Sequence, residues 1–201
     1  MKKVTIIGSI SFVVIVLCGY FFFKAPLQHV FGIENAAVVI GDQTQVEADI
    51  KQFKSDLVSS ETFKVKIATV NEKKVLVMDK ASADKLLKRG AWEKVEADNV
   101  TTNPIASLPA VSSETGSLFA KTKVDNLQLK SSSKGNVSYQ GNVIIGGSRQ
   151  FADMFAIVDP SVWVSVEGDE KTMGIFHFSE LEWPKRSEVA NITSASTFST
   201  K

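Results

Sequence analysis

Residues Val4 to Phe23, VTIIGSISFVVIVLCGYFFF, run without a charged side chain directly behind Met1-Lys2-Lys3. Nothing else in the chain restricts its fate as much. A helix of that length spans about 30 Å, the thickness of a bilayer's hydrocarbon core, and satisfies its own backbone hydrogen bonds, which lipid cannot do. The sequence therefore predicts a single transmembrane helix over residues 4–23, with Val4, Ile6, Ile7, Phe12, Val13, Val14, Ile15, Val16, Leu17, Tyr20, Phe21, Phe22 and Phe23 meeting the lipid bilayer. Lys2, Lys3 and the amine precede the run and only Lys24 closely follows it. The positive-inside bias thus sends the C-terminal part to the extracytoplasmic side, as in a signal-anchored, single-pass protein of the cell membrane.

Two other fates compete for this segment. A cleaved signal peptide has a shorter apolar region and a small-x-small exit, whereas here Ala25 is followed by Pro26. Acylation of Cys18 would resemble a bacterial lipobox, but Leu17 stands where a small residue is usual. The expectation is therefore a retained anchor, with lipidation at Cys18 as the lesser alternative. Cys18 is also the chain's one cysteine, so the remainder forms no disulfide within the chain. A disulfide-free, lysine-rich exported chain suits a bacterial cell envelope.

Residues 1–24 read as cytoplasmic start and anchor, and residues 25–35 as a stalk broken by Pro26 and Gly32. From Ala36 the periodicity becomes legible. Ala37 to Ile40 is a buried strand, and Val46, Ile50, Phe53 and Leu57 line one face of a helix over residues 43–58. Phe63, Val65 and Ile67 alternate with lysines in a strand over 62–70, which turns at Asn71-Glu72-Lys73-Lys74 and returns as Val75 to Met78. Ser82 opens a short helix ending at Gly90, and Trp92 to Val95 supplies a last strand. That order, over residues 36–97, predicts an α+β lobe of βαββαβ type.

Residues 98–122 hold Pro104, Pro109 and Gly116 among many Ser and Thr, which reads as a linker or long loop. Residues 123–184 predict a mostly antiparallel β lobe. It has one strand over 137–145 and a hairpin pairing Val162-Val164-Val166 with Thr172 to Phe178. Residues 185–201 read as a flexible tail.

Chemistry is hard to find. Only His29 and His177 exist, neither beside a nucleophile pattern, and no Cys or His pair has zinc spacing. The turn Glu167-Gly168-Asp169-Glu170 lacks the alternating ligands of a calcium loop. Gly146-Gly147-Ser148-Arg149 is neither a nucleophile elbow nor a phosphate loop. No catalytic, cofactor-binding or metal residue is assigned, and no cofactor is expected. With 23 basic against 22 acidic side chains the chain lacks the positive excess that nucleic acid demands. A cluster of Lys121, Lys123, Lys130 and Lys134 could meet an anionic polymer or headgroups, although lysines also guard strand edges.

The expected role is a non-catalytic binding or interaction protein of the envelope, whose partner is another envelope protein or a cell-wall polymer. Two alternatives stand beside it. The element order of 36–97 is shared with peptidoglycan-binding modules of the SPOR type, without a diagnostic motif. A hydrolase using carboxylates such as Asp153, Asp159 or Glu180 is the enzymatic alternative.

Overall fold

The computed structural model describes residues 35–125, 127–129, 135–179, 187–189, 191–192 and 195–199. The described residues belong to one compact unit, which spans residues 34–201 and is separate from residues 1–33 in the chain's division. The predicted anchor of residues 4–23, Cys18 and His29 lie outside the described residues. Among those described, no helix is long and apolar enough to cross a membrane.

The elements of this unit run β1 (Ala36–Gly41), α1 (Gln43–Gln52), β2 (Leu57–Val70), β3 (Lys73–Asp79), α2 (Lys80–Lys88), β4 (Trp92–Val95), β5 (Thr102–Pro104), β6 (Thr115–Ala120), β7 (Leu127–Gln128), β8 (Asn136–Gly141), β9 (Val143–Ile145), β10 (Met154–Val158), α3 (Pro160–Ser165), β11 (Asp169–Phe178) and β12 (Ala195–Phe198). Nine strands form one mixed sheet in the order β12-β1-β11-β2-β3-β10-β6-β8-β7, while β5-β4-β9 make a second, small sheet. β10 lies parallel to β3, and β8 parallel to β6; the other neighbours in the large sheet are antiparallel.

This arrangement corrects the predicted anchor-plus-two-lobe architecture. Strands of the two halves interleave: β11 sits between β1 and β2, pairing Val38 with Ile175 on one side and Phe63 with Met173 on the other. β10 closes on β3, with Phe155 opposite Leu76. The β4 strand, expected to complete a βαββαβ sheet, leaves it altogether and pairs with β5 and β9. The cause lies in burial. Ala36 to Val39, Val75 to Met78 and Met154 to Val158 are buried at every residue, so they need cover on both faces and pairing on both edges. A lobe of 36–97 alone cannot supply that.

The period of two sorts the sheet's side chains into two faces. Val38, Phe63, Leu76, Phe155 and Ile175 pack on one, under α2 and the small sheet, with Trp92 buried and its indole N–H donating to the Ala83 carbonyl at 3.1 Å. The other face is covered in two places. Val46 and Phe53 of the α1 region pack on Ala37, Val39, Phe176 and Phe178, and Val162 of α3 packs on Val77, Leu118 and Ala156.

Four local expectations are corrected as well. The stretch 98–122 contains β6, a buried strand inside the large sheet, and Ile105, Leu108 and Val111 pack against the core. The expected strand 137–145 breaks after Gly141, whose φ of +130° sends β9 into the small sheet. Val162 to Val166 is no strand: Asp159 caps α3 by accepting from the Ser161 amide at 2.9 Å, with Pro160 in the first turn. Within the expected tail, β12 pairs with β1 and buries Phe198.

Candidate functional site: two cavities at one end of the sheet

β1, β2 and β6 end, and β3, β10 and β11 begin, at the same end of the large sheet. Two cavities open there. Lys73 and Lys74, adjacent on β3 and therefore on opposite faces, line one each. The chain enters β1 at Ala36, at the other end of the sheet.

The larger cavity, about 380 Å³, lies among Ile40, Gly41, Asp42, Gln45, Ile67, Thr69, Lys74, Phe151, Asp169 and Lys171. Its apolar floor follows from the strand period, which turns Ile40 and Ile67 to one face and lets buried Phe151 close beneath them. Its rim is ionic. Asp42 stands at the N-cap position of α1 with extended backbone, yet its carboxylate makes no cap; it accepts from Lys171 Nζ at 2.8 Å. The hydrogen bond and charge of Lys171 hold the Asp42 carboxyl below its usual range, and the same contact, with Asp169 adding charge, raises Lys171. Two carboxylates around one ammonium, beside the Gln45 amide, the Thr69 hydroxyl and Lys74, present donors and acceptors together. That set suits a small polar group with both kinds of partner. It contains no nucleophile–base pair.

The smaller cavity, about 280 Å³, is lined by Lys73, Ala120, Lys121, Thr122, Val124, Arg149, Asp153 and Met154. Arg149 is half-buried. Its Nη2 donates to Asn142 Oδ1 at 2.6 Å and to the Val143 carbonyl at 2.9 Å, its Nη1 donates to the Asp153 carbonyl at 3.3 Å, and its carbon lies 5.3 Å from the Phe155 ring centroid. Burial lowers its pKa, while the charges of Tyr139 and Asp153 oppose that shift.

The sequence candidates are scattered. Asp153 precedes β10 and Asp159 follows it, so the two carboxylates lie at opposite ends of a five-residue strand. Asp153 Oδ2 accepts from the Lys74 amide at 2.8 Å, and the Ser161 hydroxyl and amide hold Asp159 below the usual carboxylate range. They cannot flank one substrate bond, and Glu180 lies outside the described residues. His177 pairs along β11 with Ala36 and Ser59, away from both cavities. Lys123 pairs with Asp125 at 3.1 Å, Lys121 lines the smaller cavity, and Lys130 and Lys134 lie outside the described residues. No group of three or more His, Cys, Asp or Glu that could hold a metal occurs among the described residues. Sequence reasoning passed over Asp42, Lys171 and Arg149 as site residues. An arginine set between Val143-Ile144-Ile145 and Phe151 was the available signal for the last.

Residues 34–201 match the model of a family described as an uncharacterised lipoprotein family. The chain belongs to that family. A solved structure described as "Putative Lipoprotein from Bacillus anthracis" is 33% identical, with a TM-score of 0.72 over 83% of this chain and 99% of that one. No curated protein matches. Membership of a lipoprotein family corrects the single-pass, signal-anchored reading: a lipoprotein is held at the membrane by lipid on a cysteine, not by a spanning helix. The protein is thus membrane-associated through a lipid anchor.

Proposed function

We propose that this lipoprotein is a non-catalytic binding protein on the extracytoplasmic side of a bacterial membrane, tethered by lipid on Cys18. The observation that carries the reading is the lipoprotein-family match of residues 34–201 in a chain with one cysteine, placed inside an apolar run behind two lysines. Export of that run and acylation of Cys18 account for its length and flanks without a retained helix. Leu17 remains a departure from the small residue usual before an acylated cysteine. A binding role is supported by the two open, ion-rimmed cavities, which offer recognition groups without a paired nucleophile and base among the described residues. The partner is an envelope protein or a wall polymer whose polar groups reach that end of the sheet.

Metabolic labelling with an alkyne fatty acid tests the tether. Label should enter the wild-type chain and be absent from Cys18→Ser, and protease added to protoplasts should degrade the folded part. An unlabelled wild-type chain, or one protected from external protease, would contradict the reading.

A further inference from the structure

The smaller cavity holds a half-buried cation that, unlike six other cations among the described residues, faces no carboxylate. Lys171 faces Asp42, Lys64 faces Glu170, Lys80 faces Asp84, Arg89 faces Glu61, Lys94 faces Glu96 and Lys123 faces Asp125. Arg149 is half-buried, and its three hydrogen bonds all go to neutral oxygens. No carboxylate among the described residues lies within ion-pair distance of it. Burying an uncompensated charge is unfavourable, and a guanidinium loses less than an ammonium because its charge is delocalised and weakly hydrated. The Asn142 side chain and the Val143 and Asp153 carbonyls fix the plane of the fork and leave its Nε–H and one Nη1–H without a partner among the described residues.

Two exposed lysines complete the surroundings. Lys73 begins β3, and Lys121 follows the end of β6, one strand beyond β10. Neither has an ion pair among the described residues. Asp153 is the one carboxylate of the lining, so three cations stand against one anion. One oxygen of that carboxylate is already engaged by the Lys74 amide. The cavity's apolar side is formed by Ala120, Val124 and Met154, and Thr122 adds a hydroxyl.

We infer that this cavity, with Arg149 at its base and Lys73 and Lys121 at its rim, binds a phosphate-type oxyanion. A fixed guanidinium fork with two flanking ammonium groups matches a tetrahedral anion with several acceptor oxygens, and the anion supplies the direct ion-pair partner that Arg149 lacks among the described residues. The excess of positive charge favours phosphate over a single carboxylate. The remaining volume accommodates the first atoms of an ester substituent. The phosphate group could come from a soluble anion or from a lipid headgroup.

The inference goes beyond the tethered binding role and is tested separately from it. The full-length chain in neutral detergent is acetylated with an amine reagent, and each lysine's labelling rate is read by mass spectrometry. Inorganic phosphate, against chloride at matched ionic strength, should slow Lys73 and Lys121 and leave Lys51 and Lys54 of the α1 region unchanged. In a second arm the chain is placed in phosphatidylglycerol or phosphatidylcholine vesicles without free phosphate. Protection of the same two lysines only in phosphatidylglycerol identifies the headgroup as a source, and protection only by free phosphate identifies the soluble anion.

Arg149→Gln should abolish the protection. Lys121→Ala, an exposed change that leaves the fold intact, should raise the phosphate concentration needed to protect Lys73 by about fivefold, the worth of one charge at close range in water. Equal labelling rates in every arm, or protection that Lys121→Ala leaves unchanged, would overturn the inference.

Discussion

Lys66 shows how single residues tie this molecule together. Its Nζ donates to the carbonyls of Trp163, Val164 and Val166 at 3.1, 3.2 and 2.9 Å, and it lies 4.6 Å from the Trp163 ring centroid. α3 has no basic residue in its own last turn, so a strand residue nearly a hundred positions earlier satisfies its C-terminal end. Lys66→Met should lower stability by about 1–2 kcal/mol in urea unfolding, the scale of charge-assisted bonds to a helix terminus. An unchanged midpoint would show that the contact is dispensable. Such a role is not legible in the sequence, where Lys66 is simply the polar alternate of a strand.

The Asp42–Lys171 pair makes a pH prediction. Asp42 titrates below its ordinary value of 3.8, so its contribution is present above that value and is lost as pH falls through the lowered folded value. Lys171 titrates above 10.5, so its contribution is present below that value and is lost as pH rises through the raised one. Asp42→Asn should therefore reduce Tm between those limits, and the gap to wild type should close at the acid end. Asp49 behaves in the opposite sense. Burial raises its pKa and leaves Oδ2 without a partner among the described residues, so its charge weakens the fold increasingly as pH rises from 3.8 through the raised value. Asp49→Asn should raise Tm at neutral pH, and that gain should vanish below 3.8, where the carboxyl is protonated in both folded and unfolded chains.

At the scale of elements, close approach decides what composition alone conceals. Thr115 to Ala120 looks like a loop because Thr, Gly and Ser open it, yet it lies between β10 and β8. A Cβ added at Gly116 would meet the Ile157 carbonyl oxygen at 2.6 Å and Val137 Cγ1 at 2.9 Å. The glycine is a packing requirement of a buried strand. Gly116→Ala should cost roughly 1–3 kcal/mol, the range for overpacking a filled interior, and thermal unfolding will read it directly. The segment Val162-Ser165 misleads in a different way. Valines two apart also fall four apart, and Val162 and Val166 are both buried while Val164 is 72% exposed. Asp159-Pro160 was the deciding signal, a cap and first-turn pair that outweighs a three-residue alternation. By contrast, β2 and β3 are readable because long alternation, a polar turn and a returning apolar run point to the same hairpin. The turn is tighter than the four polar residues 71–74 suggest and holds only Asn71 and Glu72, both at positive φ.

For the whole molecule, the local order of elements over 36–97 is legible and its assembly is not. Alternation says that a strand has two faces; it does not say which distant strand lies beside it. β1 lies between β12 and β11, so it reaches neighbours more than a hundred residues away on both edges. The cavities share that origin, since Asp42 meets Lys171 only because β11 returns beside β1. An isolated fragment 36–97 should therefore remain unfolded by circular dichroism, because it lacks β10, β11 and β12. A folded fragment would contradict the interleaved sheet.

The N-terminal run illustrates the same boundary between local and contextual information. Its length and charge flanks fit a retained helix and a processed lipoprotein leader alike, and the family to which the folded part belongs favours the second. The mass of the N-terminal peptide of the mature protein, purified from membranes, tests this most directly. The mature chain should begin at Cys18 and carry a diacylglyceryl group. A chain in which residues 1–17 remain and Cys18 is an unmodified thiol would contradict it.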